Sequence, residues 1–169
     1  GHMVPAAALA AELMHRGHRV ALVSDERGVR FPDLFDGIQT HVLPAGRLAG
    51  GPVGWLKAGQ KMLAGRAMAR ELYRNFKPAA VIGFGGYPSV PALFAAFAEN
   101  IPTIVHEQNA VLGRVNRLVA GKVAGIATSY AHVARLRASH AAKTHYVGNP
   151  VRQSILAIRE RPYPVLEED

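Results

Sequence analysis

Four clusters in the chain carry residue types suited to acid–base and phosphate chemistry. His106-Glu107-Gln108-Asn109 puts four polar residues at the end of the apolar run PTIVH. Glu107 there suits acid–base work, or Glu107 and Asn109 suit recognition of a substrate hydroxyl. The plainer reading is that His106 and Gln108 satisfy neighbouring backbone groups. Gly1-His2-Met3-Val4-Pro5 opens an Ala- and Leu-rich segment. Unpaired N–H groups at a helix start suit a diphosphate, and His2 there is placed to take a proton from an attacking hydroxyl. Gly85-Gly86-Tyr87-Pro88-Ser89 joins an apolar run to a second Ala-rich segment. Glycine lets the backbone approach a ligand, and Ser89 as a helix cap leaves N–H groups facing a phosphate. Its plainer reading is an ordinary turn. Gly148-Asn149-Pro150-Val151-Arg152 follows the last apolar run. Arg152 suits a phosphate or a bridge to a following domain, and taken alone it reads as a surface arginine.

These clusters need elements to hold them. Residues 19–24, 38–43, 79–84, 102–106, 125–128 and 144–147 read as strands. Residues 5–16, 55–75, 90–99 and 112–120 read as helices, with another starting after Val151, and 46–54 as a loop. Apolar strands alternating with helices predict an α/β fold: a Rossmann-like parallel sheet flanked by helices. Such sheets bind ligands beyond the carboxyl ends of their strands, where GGYPS, HEQN and GNPVR all fall.

Composition bounds the partners. The 169 residues are 49% hydrophobic and carry 20 Lys and Arg against 12 Asp and Glu, a net charge of +8. That basic balance favours nucleic acid, anionic membrane or phosphorylated ligands. Aromatics are 7%, with no aromatic–basic ladder, so nucleic acid is not expected. No cysteine is present, which removes disulfides and thiol chemistry, and the eight His form no metal-binding spacing. Neither a metal nor another cofactor is expected. No apolar run reaches the ~18–20 residues of a membrane span.

The stretch 51–77 suggests a membrane surface instead. Trp55, Met62, Ala69, Leu72, Tyr73 and Phe76 fit one helical face. Arg66, Arg70 and Arg74 run along one flank, and Lys57 and Lys61 lie on the other. An apolar face with basic flanks suits anionic lipid, although most of that face is better read as packing on the sheet. Trp55 and Leu56, with the preceding GGPVG, are the expected lipid contacts, supported by Lys57, Lys61 and Arg66.

Taken in order, GH-x-x-P, GFGGYPSVP, HEQNAVLGRVNR and VGNPVR resemble the N-terminal domain of the MurG family over nearly the whole chain. These are bacterial undecaprenyl-diphospho-muramoylpentapeptide β-N-acetylglucosaminyltransferases. The resemblance implies half of a two-domain GT-B fold. It implies transfer of N-acetylglucosamine from UDP-N-acetylglucosamine to lipid I, with inversion, giving lipid II for peptidoglycan. It also implies a peripheral place at the cytoplasmic face of the inner membrane and no required metal. His2 and Glu107 would be catalytic, His2 as base and Glu107 binding or orienting the acceptor sugar. Asn109 and Arg152 would contact the donor. Gly85, Gly86, Tyr87, Ser89 and Gln108 would border the acceptor and its diphosphate. Residues 1–158 would form the acceptor-binding domain without its first strand, and 159–169 a linker toward a donor-binding domain. This segment alone would be inactive. The rival readings are another GT-B UDP-sugar enzyme and a non-catalytic basic membrane-binding domain.

Overall fold

The apolar runs form short parallel strands, and the Ala- and Leu-rich runs form the helices between them. The computed structural model describes residues 2–26, 28, 32–46, 51–159 and 161–162. Gly1, loop residues 47–50 and linker residues 160 and 163–169 lie outside the described residues. Strands β1 (Ala21–Ser24) and β2 (Gln39–Val42) pair in parallel, Ala21 opposite Gln39. Strands β3 (Val81–Gly83), β4 (Thr103–Glu107), β5 (Gly125–Thr128) and β6 (Thr144–Tyr146) form a second parallel sheet in that order. Its register sets Val81 against Thr103, Ile104 against Gly125 and Ile126 against Thr144. Helices α1 (Met3–His15), α2 (Gly51–Phe76), α3 (Val90–Ala98), α4 (Arg114–Val119) and α5 (Gln153–Leu156) alternate with the strands. The α/β expectation is therefore met.

α3 is apolar almost all round, and six of its nine residues are buried, as such a helix must be. Leu93 of α3 packs with Val105, Val115, Val119 and Ile126 in one core cluster. Ala69 and Tyr73 of α2 pack with Ala92, Ala95 and Ala96 of α3 in a second. The Tyr73 hydroxyl donates to the Ala92 carbonyl at 3.1 Å, which satisfies the polar tip inside that core. α2 also lies directly on the segment after β2. A Cβ on Gly65 would stand 2.2 Å from the Pro44 carbonyl oxygen, so only glycine permits this approach.

Two sequence expectations shift. α2 begins at Gly51, so Gly51–Gly54 is helical rather than loop. The buried stripe of α2 starts at Ala58, and Trp55 ahead of it is 58% exposed. α4 starts at Arg114, because Gly113 is extended and donates its N–H to Glu107. β1 and β3 both line one apolar cleft of about 560 Å3, floored by Tyr73 and Leu93. Among the described residues no helix is long and apolar enough to cross a membrane.

Candidate functional site

β4 runs inside the sheet, between β3 and β5, and its last residues reach the carboxyl edge while still buried. Glu107 is 1% exposed, yet its carboxylate is fully hydrogen-bonded. Oε1 accepts from the Asn109 N–H at 3.1 Å and from Asn109 Nδ2 at 2.9 Å. Oε2 accepts from the Gly113 N–H at 2.8 Å and from Asn116 Nδ2 at 2.9 Å. Burial pushes this carboxyl up, but the hydrogen bonds outweigh it and hold the group below the ordinary carboxylate range. Glu107 is thus an ionised anchor for the loop between β4 and α4. Neither oxygen is open to a substrate proton, which corrects the expectation of acid–base work. The same occupancy leaves no oxygen for a sugar hydroxyl.

His106 and Gln108 follow the plainer reading made from the sequence. His106 Nε2 lies 3.1 Å from the Gly148 carbonyl oxygen, and its ring packs against Phe84. Burial lowers its pKa, so the imidazole is neutral near pH 7. Gln108 Nε2 reaches both His106 Nδ1 and the His106 carbonyl, each at 2.9 Å. Gln108 Oε1 stands 2.7 Å from His2 Nδ1. Both ends of the Gln108 amide are therefore occupied by protein groups, which corrects its expected place on the acceptor diphosphate.

The His2 contact spans 106 residues of sequence and brings the start of α1 to the end of β4. Gly85 and Gly86 lie beside it at φ 86° and 77°, a backbone region that favours glycine. Added Cβ atoms there would stand 3.4 Å from His2 Cε1 and 3.7 Å from His2 Cδ2. His2, Gly86, Tyr87, Asn109, Arg114 and Asn116 line a pocket of about 280 Å3, with Glu107 at its wall. His2, the Gly85-Gly86 turn and Asn109 thus line one pocket.

Other expected site residues stand apart from this centre. The Ser89 hydroxyl donates to the Gly86 carbonyl at 2.8 Å and makes no cap bond to α3, so the anticipated capping is absent. Arg152 is exposed at the start of α5, beyond β6, two strands across from β4. The Asn149 side chain accepts from the Ser129 hydroxyl at 3.4 Å, and His106 links this loop to the HEQN cluster. Trp55, Leu56, Lys57 and Lys61 are exposed on the first turns of α2, whereas Arg66, further along, is half-buried and its Nε has no hydrogen-bond partner. Two further pocket residues, Arg114 and Asn116, lie within the HEQNAVLGRVNR motif. Arg114 is the only Lys or Arg among the described lining residues. Asn116 is buried, and its Oδ1 has no hydrogen-bond partner. A short polar residue and a cation just after an extended glycine were the available signal. Among the described residues no group of three His, Asp or Glu is placed to hold a metal.

Residues 1–128 match the glycosyltransferase family 28 N-terminal domain. Over its full length the chain is 59% identical to the Zymomonas mobilis UDP-N-acetylglucosamine--N-acetylmuramyl-(pentapeptide) pyrophosphoryl-undecaprenol N-acetylglucosamine transferase, covering 44% of that protein. It is 58% identical to the protein of the same name from Sphingopyxis alaskensis, covering 43% of it. In structure it is similar to Acinetobacter baumannii MurG, with a TM-score of 0.69 and 26% identity over 81% of this chain and 40% of that one. The chain spans less than half the length of these relatives.

Proposed function

Since this chain belongs to the glycosyltransferase family 28 N-terminal domains, we propose that it is the acceptor half of a transferase that moves N-acetylglucosamine from UDP-N-acetylglucosamine to lipid I, with inversion. The observation that carries this reading is His2, held at the pocket mouth beside the Gly85-Gly86 turn and the end of β4. An inverting transfer needs a base at the acceptor hydroxyl and a place for the attached diphosphate. His2 supplies the base. The N–H groups of the glycine turn, with Arg114, supply donors and charge for the diphosphate. Glu107 takes neither role. It fixes Asn109 and the 109–113 loop, so that Asn109 can meet the donor from its side.

Two further parts of the reading concern what surrounds this half. α2 starts after β2, at the carboxyl edge of the sheet, and exposes Val53, Trp55 and Leu56 beside Lys57 and Lys61. That apolar tip with basic neighbours suits an anionic leaflet carrying the lipid acceptor, at the cytoplasmic face. The apolar cleft shared by β1 and β3 suits one more parallel strand, which would join the two sheets ahead of α1. The donor half, with Arg152 at the junction, would complete the enzyme; neither nucleic acid nor a metal has a part in this reading.

The test follows labelled sugar from UDP-N-acetylglucosamine into a lipid I analogue, using the intact protein that carries this segment. Transfer supports the reading. A folded, donor-binding protein that transfers nothing to lipid I assigns another acceptor, and a failure to bind the donor favours a membrane-binding module.

A further inference from the structure

We infer that Gln108 is a positioning residue: it locks the neutral His2 imidazole in the tautomer with hydrogen on Nδ1, which leaves the Nε2 lone pair facing the pocket. The inference rests on the reading of His2 as the base, and it specifies which nitrogen does the work.

The geometry settles each step in turn. Gly148 offers a carbonyl oxygen, which only accepts, so His106 Nε2 must carry the hydrogen in their 3.1 Å contact. A neutral imidazole then has a lone pair on Nδ1. The Gln108 group 2.9 Å from that lone pair must donate. It is also 2.9 Å from the His106 carbonyl oxygen, a second acceptor. Two acceptors on one side fix which end of the amide is the NH2. Turning the amide over would set its oxygen against a carbonyl oxygen and a nitrogen lone pair. Gln108 Oε1 therefore points at His2, and at 2.7 Å His2 Nδ1 must be the donor. The ring nitrogen that remains, Nε2, has no hydrogen-bond partner among the described residues. It sits between Cε1 and Cδ2, the two ring atoms that lie 3.4 Å and 3.7 Å from where Cβ atoms on Gly85 and Gly86 would stand.

A histidine whose tautomer is set by its neighbour offers the correct nitrogen in every molecule. Without Gln108 the two neutral tautomers would share the population, and the ring would also turn more freely. A backbone carbonyl beyond β6 thus sets, through His106 and Gln108, the protonation pattern of a residue at the other end of the chain.

The experiment uses the intact protein labelled with nitrogen-15 in histidine. Long-range proton–nitrogen correlation spectra, recorded in mildly alkaline buffer, identify which ring nitrogen carries hydrogen. His2 is assigned by its loss in His2→Gln. We expect the His2 Nδ1 to be protonated in the wild type. In Gln108→Leu we expect the Nε2-protonated form to appear. We also expect kcat for sugar transfer to fall about tenfold or more in Gln108→Leu while KM for the acceptor stays within about threefold. A wild-type His2 protonated on Nε2 overturns the inference, as does a Gln108→Leu protein that keeps the Nδ1–H form. The spectra need no turnover. An absence of transfer with the expected tautomers would remove the functional reading and leave this one standing, and transfer with the opposite tautomer would do the reverse.

Discussion

Replacing Glu107 with Gln keeps the side chain's shape and removes its charge. In the wild type two donors converge on each carboxylate oxygen. An amide has one oxygen, so one pair of donors meets an NH2 group instead. Each bond to a charged acceptor is worth about 1.5–3 kcal/mol, against about 0.5–1.5 for a neutral one, so two lost bonds cost about 3–6 kcal/mol. Part returns when Asn109 or Asn116 turns an oxygen toward the new NH2, and part because a charge no longer has to be buried. We expect a net loss of about 2–3 kcal/mol. With an unfolding slope of about 4 kcal/mol/M, the guanidinium midpoint should fall by about 0.5–0.8 M, followed by far-ultraviolet circular dichroism. The pH dependence has a defined sign. The folded Glu107 titrates below its ordinary value, so its contribution is present above the unfolded carboxylate pKa of ~4.3 and is lost as pH falls through the folded value. The Gln variant should lack that acid limb. An unchanged midpoint together with abolished transfer would refute this reasoning, because it would mean that the carboxylate meets the substrate and not the loop.

Further expectations concern the frame around the site. Gly65→Ala should lower stability by about 1–3 kcal/mol, because its Cβ meets the Pro44 carbonyl, whereas Gly59→Ala on the same helix meets open space and should gain about 0.5–1 kcal/mol. Thermal melts of the pair read both signs at once. Tyr73→Phe should cost about 1 kcal/mol by losing the bond to Ala92, checked by the same melts. Trp55→Ser with Leu56→Ser should weaken binding to anionic vesicles about tenfold or more without shifting the melt, since both side chains are already exposed. Binding that stays the same would move the lipid contact elsewhere.

The fold was legible where local pattern decides it. PTIVH is apolar because β4 is an inner strand, and HEQN is polar because it leaves the sheet at the ligand edge. The start of α2 was hidden by its composition, since Gly51-Pro52-Val53-Gly54 reads as a loop although proline is tolerated in a first helical turn. The periodicity that grouped Trp55 with Tyr73 was sound, but it cannot show that burial along that stripe begins only at Ala58. Glu107 and Gln108 show the deeper limit. Residue type says that a carboxylate and an amide occur there, and only the folded neighbours say that both are already occupied. The contact between His2 and Gln108 joins α1 to β4 across the whole first half of the chain, and no local pattern encodes it. The family resemblance supplied His2, but not the partner that orients it.

The most direct measurement is the single-turnover rate of sugar transfer to a lipid I analogue by the intact protein, wild type against His2→Gln, with donor and acceptor both saturating. A glutamine still bonds to its neighbours but takes no proton. If His2 is the base, the rate should fall about a hundredfold or more while both substrates bind within about threefold of wild type. A rate within about threefold of wild type would show that another group takes the proton, and would contradict the placement of the reaction centre at His2.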